Sequence, residues 1–175
     1  MPTARFVTQL NAQIGNELAA HNQYLACAVY YDSLTMPQMA AFFYAQALEE
    51  REHAMMMVQY LLDTDSGVTI PGVDAPIPTF EDLVAPVALA LAQEKRVTDQ
   101  ISSLLKTARE ESDFASEQFM QWFIKEQVEE IATMSDLLTV VSRNQENINN
   151  IEDYVAREHG GEGADPTAPK AAGAE

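Results

Sequence analysis

Glu50 and His53 lie three residues apart in a stretch without helix breakers, from Gln38 to about Asp63. Residues at that spacing share one face of a helix, so a carboxylate and an imidazole can meet at one point. The same face reads Phe43, Ala47, Glu50, Ala54, Met57 and Leu61, an apolar stripe interrupted at its middle. An unpaired charge buried there costs several kcal/mol. Carboxylate beside neutral imidazole is metal-ligand chemistry, provided that other parts of the chain bring further donors to the same place.

The rest of the periodicity predicts the elements that would do so. A first helix runs from Ala4 to Ser33 with the stripe Val7, Leu10, Ile14, Glu17, Tyr24, Ala28 and Tyr31. The break at Thr35-Met36-Pro37 is short, so the first two helices are antiparallel neighbours. The second helix ends near Asp63 to Gly67, and a long proline-containing segment follows, from Val68 to Pro78. In a four-helix bundle such a crossover lets the third helix run parallel to the second. The third helix starts between Thr79 and Pro86 and carries Val87, Leu91, Glu94, Thr98, Ile101 and Leu105. The fourth ends near Arg143 and carries Met120, Phe123, Gln127, Glu130, Met134, Leu137 and Val141. A short fifth piece, from Gln145 to about Glu158, is too short to stand alone in water and must dock. The expected architecture is all-α: one domain over 1–158 and a Gly/Ala/Pro tail over 159–175 whose composition predicts flexibility.

Each long helix thus carries polar residues near its middle: Glu17; Glu50 with His53; Glu94; and Gln127 with Glu130. Mid-helix positions meet at one height in a bundle, whichever way the helices point. Taken singly, a helical glutamate is an ordinary solvated residue. Four together in a core, at several kcal/mol each, exceed the roughly 5–15 kcal/mol that holds a domain together. Metal relieves this better than protonation, because His53 adds a neutral nitrogen donor. Carboxylates with one imidazole and no thiolate suit iron or manganese rather than structural zinc.

Composition narrows the partners. The formal charge is −17, with 27 acidic against 10 basic residues. That argues against nucleic acid and anionic membranes; it favours cations as partners, and serves solubility equally well. No apolar run is long enough to span a bilayer, and the polar start lacks a signal-peptide pattern, so the expected location is the cytoplasm. The single cysteine, Cys27, rules out an internal disulfide and reads as a small buried apolar residue.

The set Glu17, Glu50-x-x-His53, Glu94 and Gln127-x-x-Glu130 resembles the di-iron ferroxidase centre of the prokaryotic non-haem ferritins, and the likeness extends over the chain to about Glu158. The resemblance implies a ferritin-like four-helix bundle that stores and detoxifies iron. In that pattern Glu50 bridges two ions, Glu17 and His53 hold the first, and Glu94 with Glu130 holds the second. Glu49, Glu126 and Glu129 match a third iron position. Tyr24, and also Trp122, are placed to supply an electron, and Tyr24 could instead hydrogen-bond a ligand. His21 matches no ligand position. Two departures matter. The symmetric pattern has Glu-x-x-His twice, and Gln127 is a weak, neutral replacement that should leave one iron less firmly held. The position of the haem-ligating methionine of bacterioferritins is Arg51 here, so no haem is expected, and Met55, Met56 and Met57 read as packing.

The resemblance further implies Fe(II) as substrate, O2 or H2O2 as oxidant, and a cage of 24 subunits. Two other readings compete: a di-iron oxidase or peroxidase that stores nothing, and a non-enzymatic acidic helical module. Rubrerythrin-like chains need more cysteines, and mini-ferritins place iron between subunits and lack the fifth helix.

Overall fold

The computed structural model describes residues 1–160 and 165–173. Five helices follow one another: α1 (Ala4–Ser33), α2 (Pro37–Asp63), α3 (Ala85–Glu110), α4 (Phe114–Arg143) and α5 (Ile148–Glu158). Helices α1 and α2 pack as one hairpin, and α3 and α4 as another. Thr3 caps α1 by accepting from Phe6 N at 3.3 Å. Asp113 caps α4 and accepts from Ser116 N and Thr3 N, which ties the start of α4 to the start of α1. Helix α2 has no side-chain cap in its own sequence. Glu152 of α5 takes that role, accepting from Gln38 N at 2.8 Å and Met39 N at 3.0 Å. This is how the short helix docks, beside the burial of Ile151 and Val155.

Three helix ends close through a left-handed residue that is not glycine: Thr35 (φ 59°), Asp65 (φ 50°) and Ser112 (φ 56°). After each, a backbone N–H reaches back across the last turn: Met36 to Tyr31 O, Ser66 to Leu61 O and Asp113 to Ala108 O. The segment between α2 and α3 is held along α1 by two side-chain amides. Asn11 pairs with Gly67 O and Thr69 N, and Gln23 with both backbone groups of Ile77. Pro71 rests on Gly15, where a Cβ would stand 2.8 Å from the proline ring.

The core is in two apolar parts. One holds Phe6, Leu10, Ile14, Met57, Leu61, Ile101, Met120 and Phe123. The other holds Tyr24, Tyr31, Phe43, Val87, Met134, Leu137 and Val141. On every long helix the sequence between the two parts carries the polar residues singled out above. The stripes of α2 and α4 are buried as expected. Val7, Leu91 and Leu105 are only half-buried, and Phe6, Ala90, Leu104 and Ala108 face the core instead. A stripe stepped in sevens drifts around a straight helix of 3.6 residues per turn.

Helix α5 begins at Ile148 rather than Gln145. Of the expected flexible tail, residues 161–164 and 174–175 lie outside the described residues. The part from 165 to 173 lies against α2 and α4: Ala172 N donates to Met55 O at 3.0 Å, and Ala168, Ala171 and Ala172 pack on the first core part. Among the described residues no helix is long and apolar enough to cross a membrane.

Candidate metal centre

Between the two apolar parts, one ligand atom each from Glu17, Glu50 and His53 lies within 4.8 Å of the others. Glu50 Oε2 stands 3.7 Å from His53 Nδ1. The α1–α2 hairpin brings Glu17 opposite Glu50, and the helical spacing within α2 adds His53. Helices α3 and α4 supply Glu94, Gln127 and Glu130, all buried. Glu94 is the most heavily bonded. Tyr24 Oη donates to its Oε1, and Gln127 Nε2 donates to its Oε2 at 3.0 Å. Within this polar layer three carboxylate oxygens are buried without a hydrogen-bond partner: Oε2 of Glu17, of Glu50 and of Glu130. Buried carboxylate oxygens need a partner, and a proton or a cation can supply it.

The electrostatics agree. Burial raises the Glu50 carboxyl well above the usual carboxylate range, and the neighbouring Glu94 and Glu17 raise it further. Burial does the same to Glu130, with repulsion from Glu94 and Glu49. Burial brings Glu94 up to about 7, while the Tyr24 hydrogen bond pulls the other way. Burial also lowers the His53 imidazole, which keeps it neutral and able to coordinate. Without a cation the cluster sheds charge by taking up protons. With one, the protons leave.

The other expected residues are distributed around this core. Glu49 and Glu126 are half-buried and Glu129 is exposed. All three line two adjoining cavities of about 460 and 290 Å3 on the α2–α4 side. His21 Nδ1 donates to Ala47 O at 2.6 Å, which makes it a brace between α1 and α2. Trp122 packs edge-on against His53 with ring centres 5.6 Å apart, and its indole N–H donates to Asp165 of the tail. Arg51 is exposed.

Three supporting residues were not singled out from the sequence. Gln13 Nε2 donates to Glu17 Oε1 at 2.8 Å. Gln46 Nε2 donates to Glu49, and a Gln46 hydrogen bond also steadies the charged form of Glu130. Thr98 Oγ1 bonds Glu94 O and accepts from Gln127. Their signal was present: Gln13, Gln46 and Thr98 each lie four positions, one helical turn, from Glu17, Glu50 and Glu94.

A family model described as the ferritin-like domain matches residues 7–144. The chain belongs to the ferritin family. It is 54% identical to ferritin BfrB of Mycolicibacterium smegmatis, over 97% of this chain and 93% of the relative. It is 30% identical to a bacterial non-heme ferritin of Staphylococcus epidermidis, over 88% and 93% of the two chains. A crystal structure of an open pore ferritin from Archaeoglobus fulgidus superposes with a TM-score of 0.85 at 28% identity, covering 90% of this chain and 97% of the other. Iron storage, iron binding, oxidation of Fe(II) and multimeric assembly come with ferritin membership.

Proposed function

We propose that the polar layer binds two Fe(II) ions per subunit. Glu17, Glu50 and His53 hold the first, and Glu50, Glu94 and Glu130 the second, with Glu50 shared. The observation that carries this reading is the trio of bare buried oxygens, one on each of Glu17, Glu50 and Glu130. Each Fe(II) gives one electron to O2 or H2O2, and the Fe(III) moves on to a mineral. The protein residues set the order of events. Glu49, Glu126 and Glu129 draw cations to the α2–α4 mouth, where a third ion can pause. Neutral His53 and the deprotonating carboxylates take the ions in. Gln127, committed to Glu94 through a donated hydrogen bond, offers only its carbonyl oxygen and leaves the second ion more loosely held.

Tyr24 is placed to feed an electron to the centre through Glu94. Residues 1–158 form the functional domain, 159–175 an appended segment, and no haem is expected, since Arg51 stands at the position of the haem-ligating methionine and cannot ligate iron as methionine does. The assembly is a cage of 24 subunits in the cytoplasm, with α5 at a subunit junction.

The test is stopped-flow Fe(II) oxidation by the purified assembly, together with its mass and iron content. Glu50→Ala and His53→Ala should abolish the fast phase while assembly persists. Fast oxidation that survives both changes refutes the site, and a small iron-free particle refutes storage.

A further inference from the structure

The centre has a second face, and it is built differently. The α2–α4 side is lined with carboxylates, whereas the α1–α3 side is lined with amides. Two surface cavities lie there, of about 190 and 130 Å3, and both are lined by Asn16 and Gln100. Gln13 lines the larger one and donates to Glu17 Oε1 at 2.8 Å, so a single side chain separates that cavity from a carboxylate of the centre. Its amide is held by Gln100, whose Oε1 accepts at 3.2 Å, and by Asn16, which donates to Gln13 Oε1 at 2.9 Å. Gln93, 9% exposed, lines the smaller cavity with its buried Nε2 donor unpartnered, and Gln9 Oε1 in the larger one is an unpartnered acceptor.

Unused donors and acceptors with no charge suit a small neutral molecule that both donates and accepts. They do not suit Fe(II), which would lose hydration without meeting an anion. Exposed Arg96 at the smaller cavity further opposes a cation.

We propose that the α1–α3 seam is a separate approach to the centre for hydrogen peroxide, with Gln13 as its gate. This rests on the di-iron reading above. Rotation of Gln13 away from Glu17 joins the cavity to the centre, and its return restores the hydrogen bond that aims Glu17. The peroxide O–O bond then breaks as two Fe(II) give one electron each, and two protons complete two waters. Entry of metal and oxidant from opposite sides means that neither waits for the other to clear.

The test fills the cavity from exposed positions that touch no ligand. Ser103→Trp is the main variant and Ala12→Trp the second, should the first fold poorly. Both are made in the full assembled protein, and Zn(II) serves as a redox-inert probe of the centre. The expected result is Zn(II) binding equal to the parent, with Fe(II) oxidation by H2O2 slowed about fivefold and oxidation by O2 slowed less. An unchanged peroxide rate, or equal slowing with both oxidants, overturns the proposal. Failure of the parent itself to bind Zn(II) removes the di-iron reading instead.

Discussion

Glu94 gives the centre a pH signature. A carboxyl raised from 4.5 to about 7 by burial binds its proton more tightly in the folded state than in the unfolded one. Its contribution is therefore fully present below the unfolded value and is lost as pH rises through about 7. The metal-free protein should lose thermal stability from about pH 5 to pH 8, and Glu94→Gln should flatten that slope. A slope unchanged by the substitution would mean that other groups carry it. Metal binding should release protons near pH 6 and fewer at pH 8, a difference that calorimetry in buffers of different ionisation enthalpy reads directly. Gln127 makes the other prediction at this scale. Gln127→His puts a neutral nitrogen ligand at the weaker half, so the second ion should bind more tightly, visible as a two-step anaerobic Fe(II) titration merging into one.

Among the elements, the helix ends store a small strain. Thr35 is β-branched and left-handed, a conformation that costs such a residue about 1–2 kcal/mol. Thr35→Gly should stabilise the fold by about 0.5–1 kcal/mol after glycine's own entropic cost, raising the melting temperature without touching oxidation. Glu152→Ala strips two N–H groups of their acceptor at the start of α2. It should cost about 1 kcal/mol and speed hydrogen exchange at Gln38 and Met39. This contact was not legible from the sequence. Glu152 lies more than a hundred residues from the start of α2, and nothing in an acidic residue on a polar face tells which backbone it will cap. The long helices were legible, because a period of 3.6 residues is a property of each segment alone. The register of α3 was read one position out at Leu91 and Leu105, since Ala90 is a weak marker of a buried face and Leu104 and Leu105 are the same residue type.

At the scale of the molecule, the buried layer could be anticipated because each long helix breaks its stripe near its centre, and a bundle aligns centres. The cavities could not, since they arise from the spacing between helices and from the tail. Composition alone makes residues 165–173 look unstructured. What anchors them is specific: Asp165 accepts from Trp122 Nε1 at 3.3 Å and Lys125 Nζ at 3.2 Å. Trp122 is the sole tryptophan of the chain. Its indole touches the tail at one edge and His53 at the other, so intrinsic fluorescence is a built-in gauge of both. Truncation after Glu158 should shift the emission and open the ring to acrylamide quenching, whereas metal loading should change intensity in the intact chain. The same placement lets a change anywhere in residues 165–173 be read at the ligand His53 through a single ring.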